Sequence, residues 1–591
     1  MASGRAPAQP AAGRPGRSRR VSITLLVVMA VAIACTVMAS MSAAAIVGST
    51  SCSRDPALLN VAVSTDLAPA IQQIARVFNG EDHSVGGRCA QVQVTEEDSA
   101  TAAGQIDGQQ AQPGLPPVDA WIPDSSLWVD VARSYPLGAQ AVQPTGLNVA
   151  ESPLMLAMSA SAAAATQAFA VTPGWNLLLP ASVGGPPASL GLRVELPDPQ
   201  QSATGLATLV EMSRLLGNSP AARASFAKFV FSAQTTTDFG NPISLAAFVA
   251  SAGPPANEHP VTVTSEQAVL AYDRANPGQP LAARYPIGAV SPLGSPKLDY
   301  PFVLTTASPL ELAAARMFEK ALQQGYAASV IRYDGFRSAD GVGDSSPRSF
   351  GLSAQPIQPA VTPTSSEAQT TLQAWQKLGV GSRDLTLIDA SAAMDTPDGN
   401  GSQTLEQALT QASALGLSLF PDTTNMGLWE FSADLTGTKP YRQLVSVGPL
   451  PAELGLITRR QQLQQIIETL QPTQAPAGLY GSILAAYQQM QASYRPEFAN
   501  AVLVLTAGID NAPGDISAAT LLARLRAITN PDRKVEIVAI MFGNAGNFTA
   551  LQQVASATGG GAYEITDPTQ ILKVFFEAIS QRLCNPGCSA P

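Results

Sequence analysis

Histidine is almost absent from this chain, which has only His83 and His259 among its 591 residues. Two histidines are too few for a His-Glu-x-x-His zinc helix or for the usual histidine-dependent triad. The sequence also lacks a Gly-x-Ser-x-Gly element and a phosphate-binding Gly-x-x-x-x-Gly-Lys loop. Gly341-Val-Gly343 lacks the rest of a dinucleotide-binding fingerprint. We therefore predict that the protein is not an enzyme.

Charged residues are scarce as well, at 13% of the chain, and the net charge is −10. Nucleic-acid-binding surfaces need clustered lysine and arginine, so we predict no nucleic-acid partner. Hydrophobic residues make up 46% of the chain, which is too many for a long disordered protein. A length of 591 residues predicts two or three domains.

The N-terminus combines a basic tail with an uncharged run. Residues 1–20 carry five arginines, and residues 21–47 carry no charge over a length sufficient to cross a bilayer. Arginines on this side predict a cytoplasmic tail, a transmembrane helix or signal anchor at 21–47, and an extracytoplasmic remainder. A cleaved signal peptide, with Ala43-Ala44-Ala45 as its cleavage region, is the alternative.

Cysteine is rare too, and four of the five cysteines fall on the predicted outer side, where disulfides persist. Cys52 and Cys89 flank one predicted helix, and Cys584 and Cys588 bracket the turn sequence Asn-Pro-Gly. We predict these two local disulfides from the three connectivities that four cysteines allow. Their spacing does not match the paired short spacings of zinc ribbons.

Strand and helix patterns alternate through the first half of the chain. We predict strands at 58–63, 90–94 and 281–285, and helices at 68–78, 206–216, 265–276 and 310–324. Residues 118–128 are typical of a strand that runs into a serine-capped helix. This alternation predicts a parallel sheet.

Four segments carry a family resemblance: Val118-Asp-Ala-Trp-Ile-Pro-Asp-Ser-Ser126, Leu196-Pro-Asp-Pro199 with Ser202-Ala-Thr-Gly205, Leu298-Asp-Tyr-Pro301, and Gly335-Phe-Arg337. In these segments, the region 55–350 resembles the two-lobed extracytoplasmic solute-binding proteins. The resemblance implies two α/β lobes with a cleft between them.

Two polar segments follow predicted strands and open predicted helices in this region. They are Ser64, Thr65 and Asp66, and Asp124, Ser125 and Ser126. Helix N-termini with free backbone N–H groups can hold an anionic ligand in an interlobe cleft, so these six residues are the candidate ligand site. Ordinary N-capping by the same residue types is the alternative.

A linker is predicted at 351–372, where Gln355 to Ser366 contains three prolines among mostly small and polar residues. A second alternating pattern fills 373–583, with strands at 385–388, 427–431, 501–506 and 535–542 and helices at 403–417, 460–470, 479–490 and 571–582. It predicts a doubly wound, mostly parallel sheet, followed by a tail at 584–591.

The strand at 385–388 ends in Asp389-x-Ser391, which resembles the first metal-binding loop of a von Willebrand factor A (VWA) domain. The family pattern is Asp-x-Ser-x-Ser, and Ala393 stands at its last position. Ala477 stands at the threonine of the second loop, and Ala507 at the aspartate of the Thr-Asp-Gly third loop. In metal-binding members these loops give Mg²⁺ or Mn²⁺ its hard oxygen ligands.

Three of these five positions have lost their oxygen, so we predict no cofactor. Weak Mg²⁺ or Mn²⁺ binding at Asp389 and Ser391 is the alternative, with Asp395, Asp398 and Asp510 close in sequence as substitute ligands. Without metal, Asp389 and Ser391 are expected to organise their loop through hydrogen bonds.

The predicted fold class is α/β, with a two-lobed periplasmic-binding-protein-like domain and a doubly wound, Rossmann-like VWA domain after one transmembrane helix. Together, the uncharged N-terminal run and the resemblance predict a membrane-anchored cell-envelope protein whose VWA domain binds an envelope or surface protein without metal. The alternative is a solute-binding protein that captures a small ligand for transport or sensing.

Overall fold

The computed structural model describes residues 53–109, 117–169, 173–236, 242–251, 258–286, 296–343, 363–398, 403–433, 435, 437 and 439–584. The predicted cytoplasmic tail at 1–20, the predicted anchor at 21–47, Cys52 and Cys588 lie outside these residues. Within the described ranges, no helix is long and apolar enough to cross a membrane.

The first lobe is built on a six-stranded sheet in the order β2-β3-β1-β4-β12-β5. Its strands are β1 Ser53–Val63, β2 Ser84–Val85, β3 Arg88–Glu96, β4 Ala120–Ile122, β5 Gln143–Asn148 and β12 Pro301–Leu304. β1 runs parallel to β3 and β4, and β12 runs antiparallel to β4 and β5. The helices of this lobe are α1 Ala68–Asn79, α2 Ser99–Ile106, α3 Ser126–Arg133, α4 Pro136–Ala141, α10 Pro309–Leu322 and α11 Gly325–Tyr333.

The second lobe has a seven-stranded sheet in the order β10-β6-β9-β7-β8, with β11 and β13 also paired to β6. Its strands are β6 Ala150–Ser159, β7 Leu192–Pro197, β8 Gln234–Thr236, β9 His259–Ser265, β10 Leu281–Arg284, β11 Lys297–Leu298 and β13 Arg337–Ser338. Its helices are α5 Ala160–Thr166, α6 Ala203–Leu216, α7 Pro220–Ser232, α8 Pro242–Ser251 and α9 Glu266–Ala275, with 3₁₀ turns at Trp175–Leu178, Ala181–Val183 and Ala188–Leu190.

The VWA-like region has a six-stranded sheet in the order β16-β15-β14-β19-β20-β21. Its strands are β14 Ser382–Asp389, β15 Asn425–Phe431, β16 Tyr441–Pro449, β19 Ala499–Thr506, β20 Val535–Phe542 and β21 Ala562–Ile565, with a hairpin of β17 Glu453–Leu454 and β18 Ile457–Thr458. Neighbouring strands of the six-stranded sheet run parallel to each other, except that the edge strand β16 runs antiparallel to β15. The doubly wound, mostly parallel sheet is confirmed.

Helices cover both faces of this sheet, and each face has its own apolar core. One core includes α15 Leu479–Ala492, α16 Ala518–Ile528 and α17 Phe548–Ser556. The other includes α13 Leu405–Leu419, α14 Arg459–Thr469 and α18 Ile571–Ser580. Burial on both sides explains why the central strands are continuous apolar runs. Short 3₁₀ turns lie at Ala392–Asp395, Pro568–Gln570 and Gln581–Cys584.

The predicted linker at 351–372 is wrong at its C-terminal end, because helix α12, Ser365–Gly379, begins inside it. Thr364 and Glu367 form a capping box, in which the Thr364 hydroxyl accepts from the Glu367 N–H at 3.2 Å and the Glu367 carboxylate accepts from the Thr364 N–H at 2.8 Å. Helix α12 packs against α3 of the first lobe and α6 of the second. Its Glu367 also pairs with Arg214 of α6 at 3.1 Å.

Candidate functional site

Among the described residues, three chain segments cross between the two lobes. Val149 separates β5 from β6, Asp299 and Tyr300 separate β11 from β12, and residues 334–336 lie between α11 and β13. The first two crossings touch, because the Val149 N–H donates to the Tyr300 carbonyl at 2.9 Å. The three segments together form the hinge of the solute-binding-like domain.

Tyr300 is the centre of this hinge. Its side chain is fully buried, and its ring packs edge-on against Phe336 of the third crossing, with centroids 5.2 Å apart. Its hydroxyl donates to the Asp66 carboxylate in the first lobe. The backbone φ of Tyr300 is 39°, a left-handed conformation that a residue with a side chain adopts only at an energetic cost. Packing and hydrogen bonding hold the strained residue in place.

The predicted ligand segment after β1 lies at this hinge. Ser64 is buried, Asp66 is half-buried and Thr65 is exposed. Besides the Tyr300 hydroxyl, the Asp66 carboxylate accepts from the Leu67 N–H at 2.9 Å, at the start of α1. Burial raises the pKa of Asp66 above its ordinary value, against the lowering effect of the Tyr300 hydrogen bond.

The second predicted segment opens α3. Ser125 is buried and caps the helix, accepting from the Leu127 N–H at 3.2 Å. Asp124 and Ser126 are half-buried. The Ser126 N–H donates to the Asp299 carboxylate at 2.7 Å, so a hinge aspartate occupies the position where an anionic ligand would meet this helix.

The structure therefore brings both predicted segments to the hinge, and it adds Asp299 and Tyr300. In the sequence these two residues belong to Leu298-Asp-Tyr-Pro301, a segment that resembles solute-binding proteins but assigns them no role. The signal that could have found them is a short polar pair between two strands of different sheets. Burial raises the pKa of Asp299, as it does that of Asp66, because the ionised carboxylate loses its hydration.

The remnant VWA site lies at the carboxyl ends of β14 and β19. Asp389 is buried, and one carboxylate oxygen accepts from the Ser391 N–H at 3.0 Å. The other accepts from the Thr506 hydroxyl at 2.8 Å and the Ala507 N–H at 3.2 Å. Burial raises the pKa of Asp389, and these hydrogen bonds act in the opposite direction. The aspartate thus joins the first and third loops.

The three alanines lie in loops at this edge of the sheet. Ala477 and Ala507 are buried, and Ala393 is half-buried in the 3₁₀ turn after β14. The Ala477 N–H donates to the Asn511 side-chain oxygen at 2.7 Å, which ties the second loop to the third. Mg²⁺ requires near-octahedral oxygen coordination, and of the five family positions only Asp389 and Ser391 offer a side-chain oxygen. This donor set does not fit the ion.

Asp395, Asp398 and Asp510, the possible substitute metal ligands, differ in their burial and hydrogen bonding. Asp510 accepts from the Leu479 N–H at 2.9 Å, and Asp515 accepts from the Gly481 N–H at 3.1 Å, both at the start of α15. Burial, followed by the hydrogen bond and charge of Asp515, raises the pKa of Asp510 to about 7. Asp398 is buried and Asp395 is exposed. In the described part of the chain, no three His, Cys, Asp or Glu residues form a group suited to a metal.

The structure describes only one cysteine of each predicted disulfide, Cys89 and Cys584. Cys89 lies in β3 as a disulfide-bonded residue. Cys52 and Cys588 lie outside the described residues, so both predicted pairings stay predictions.

Sequence families divide the chain at the same places as the structure. Residues 59–337 match the family described as bacterial extracellular solute-binding protein. Residues 385–578 match the von Willebrand factor type A domain. Two Mycobacterium tuberculosis proteins, uncharacterized proteins Rv1836c and MT1884, are 25% identical to this chain over 521 residues, which is 85% of this chain and 73% of each relative.

Solved structures resemble single domains of the chain. The sulfate-binding protein SubI from Mycobacterium tuberculosis is 17% identical, covering 48% of this chain and 87% of that one with a TM-score of 0.33. Iron-bound HitA from Pseudomonas aeruginosa is 14% identical, covering 55% and 100% with a TM-score of 0.39. A von Willebrand factor type A protein from Catenulispora acidiphila is 15% identical, covering 34% and 43% with a TM-score of 0.26.

Proposed function

We propose that this chain, which has an extracellular solute-binding domain followed by a VWA domain, is an extracytoplasmic interaction protein whose VWA loop edge binds a protein partner without a cation. The loop edge is defined here as the three loops that contain Asp389, Ala477 and Ala507. The observation that carries the proposal is the hydrogen bonding of Asp389, which accepts from Ser391 within the first loop and from Thr506 and Ala507 at the third loop, and so connects the two loops.

In a metal-dependent VWA domain the cation links the loops and receives a carboxylate from the partner. Here Asp389 and the Ala477–Asn511 hydrogen bond link the same three loops. A surface that is already ordered loses little conformational entropy on binding, so it needs no ion to become competent. Asn511 and Asp395 are exposed beside these loops and can contact a partner.

The chemistry of this edge favours a partner with basic or hydrogen-bond-donating groups. Asp395 is exposed, Asp510 and Asp515 are half-buried, and the cation that would attract a partner's carboxylate has no ligand set. An acidic rim gains from a basic partner mainly in association rate and in selection against acidic surfaces. A metal-dependent VWA domain binds a carboxylate of its partner, whereas this loop edge recognises basic or hydrogen-bond-donating groups.

Site-specific photocrosslinking in cells tests the proposal. A photoreactive residue at Pro513, exposed in the third loop of the loop edge, is compared with one at Asp532, which is exposed before β20 at the opposite end of the sheet. We expect a discrete adduct with an envelope protein at Pro513 and none at Asp532, with the yield unchanged by EDTA. Loss of the adduct in EDTA, or equal labelling at both positions, would contradict the proposal.

Solute capture is the second candidate, and the hinge favours it. The three crossings, together with the strained and buried Tyr300, can hold the two lobes in one arrangement. Asp299 at the α3 N-terminus disfavours anions, so the solute would be neutral or cationic. Native mass spectrometry of the chain purified from its own envelope tests this. A stoichiometric small adduct that is lost in Asp299→Ala supports capture, and an adduct-free chain argues against it.

A further inference from the structure

One cavity in the VWA domain is used neither by the loop edge nor by the hinge. It lies between strands β14, β19 and β20 on one side and helices α13 and α18 on the other, and its volume is about 110 Å³. The lining is mostly apolar, with Leu417, Leu503, Ile540, Phe542 and Val574 among its residues. Protein interiors are otherwise packed with few voids larger than a water molecule.

Two hydroxyl groups line this cavity without a protein partner. Thr386 on β14 is 5% exposed and Ser413 on α13 is 8% exposed. Neither hydroxyl has a hydrogen-bond partner among the residues that the structure describes. Buried hydroxyls are normally paired, because an unpaired one loses its hydration without compensation. Two such groups on opposite walls of one apolar cavity point to a ligand with a polar atom between them.

The charged residues at one end of the cavity restrict the ligand further. Arg582 lines this end together with Asp384 and Glu536. The carboxylates oppose the desolvation that lowers the pKa of Arg582, so its positive charge is already offset. An anionic head group would gain little from Arg582 and would meet two carboxylates. A neutral head group avoids this repulsion.

A second cavity offers a way in. It has a volume of about 370 Å³ and lies between the VWA domain and the second lobe, with Phe231 and Asp198 on the lobe side. The two cavities share the lining residues Phe420, Phe575, Ile579 and Arg582. A ligand can therefore pass from the space between the domains into the VWA core by displacing side chains of these four residues.

We propose that the inner cavity binds a small, neutral amphipathic molecule. Its apolar part, a short alkyl chain or a single ring, lies between the sheet and α18, and its hydroxyl or carbonyl group bonds Thr386 and Ser413. The size fits this class, because a dry apolar cavity of roughly 150 Å³ is known to hold benzene. The site is separate from the loop edge and does not depend on the partner proposed there.

Titration calorimetry of the full chain with 1-hexanol and with hexanoate at neutral pH tests the proposal. The two probes have the same chain length and differ in head-group charge. We expect saturable binding of 1-hexanol and at least about tenfold weaker binding of hexanoate. No saturable binding of 1-hexanol, or tighter binding of hexanoate, would overturn the proposal.

Matched variants locate the bound probe. Ser413→Leu fills the cavity and should weaken 1-hexanol binding by at least about tenfold, whereas Ser418→Leu, exposed on the same helix, should leave it unchanged. Thr386→Val is nearly isosteric, so it keeps the fold while removing one hydroxyl, and it should weaken binding by several-fold. Unchanged binding in both Ser413→Leu and Thr386→Val would place the probe elsewhere and overturn the assignment.

Discussion

An aspartate follows the first strand of each of two sheets, Asp389 in the VWA domain and Asp66 in the solute-binding domain, and the two differ in where their hydrogen-bond donors lie. Asp389 in the VWA domain accepts three hydrogen bonds, all from loops of the same domain. Asp66 in the solute-binding domain accepts from Leu67 next to it and from Tyr300, which lies in a crossing between the lobes. The bonds of Asp389 survive any movement of one domain against another, whereas the Tyr300 bond depends on the lobe arrangement.

The same local pattern, an aspartate after a buried strand, thus has two roles. In the VWA domain it organises a rigid edge. In the solute-binding domain it connects a lobe to its hinge. The position of the hydrogen-bond donor in the chain decides which role the aspartate has. The sequence around the aspartate does not reveal that role.

The largest expected effect is that of Asp389→Ala. This change leaves three buried donors without an acceptor, and each unsatisfied buried group costs about 1–3 kcal/mol. We expect the free energy of unfolding of the VWA domain to fall by about 3 kcal/mol or more, measured by denaturant titration. Asp395→Ala, an exposed change in the same loop, is the control and should stay within about 0.5 kcal/mol. A loss below about 1 kcal/mol for Asp389→Ala would refute its organising role.

Tyr300→Phe is expected to have a smaller effect, confined to the solute-binding domain. It removes one hydrogen bond to Asp66 and should cost about 1–2 kcal/mol while leaving VWA unfolding unchanged. Amide hydrogen exchange should become faster at the crossings, including the Val149 N–H that bonds Tyr300. The exposed Tyr333→Phe serves as the control. Equal exchange in both variants would mean that the hydroxyl does not hold the hinge.

The smallest expected effect is a pH dependence at the loop edge, because Asp510 is only half-buried and solvent screening reduces the contribution of its pKa shift to stability. Burial raises the pKa of Asp510 from 3.8 to about 7, so the folded chain keeps a proton that the unfolded chain releases. The associated stability is complete below about pH 4 and is lost as the pH rises through about 7. Denaturant titrations at about pH 5 and pH 8 should show this loss, and Asp510→Asn should reduce it. An identical pH slope in Asp510→Asn and in the exposed control Asp532→Asn would exclude Asp510 as the cause.

Much of the fold could be predicted because apolar periodicity is local. Strand β14 and helix α1 follow directly from their patterns. Helix α12 is not predicted, because the three prolines of the preceding segment indicate a linker, although the capping box of Thr364 and Glu367 is visible in the sequence. The amphipathic edge strand β16 is not predicted either, because only some of its residues are buried.

The candidate site was predictable only in part, for a spatial reason. The five loop positions of the VWA edge could be named from three short loop motifs, and hydrogen bonds join these loops at one edge of the sheet. At the hinge, Tyr300 lies 234 residues from Asp66, and Asp299 lies 173 residues from Ser126. No local pattern connects residues at such separations, and only the crossing of the chain between two sheets brings them together.

Titration calorimetry of the full chain with Mg²⁺ and Mn²⁺ tests the central claim most directly. We predict no saturable binding by the natural chain. We predict measurable affinity once the oxygens are restored together by Ala393→Ser, Ala477→Thr and Ala507→Asp, in a variant whose fold is verified by its thermal unfolding. Micromolar binding of either ion by the natural chain would contradict the claim that its loop edge is organised without a cation.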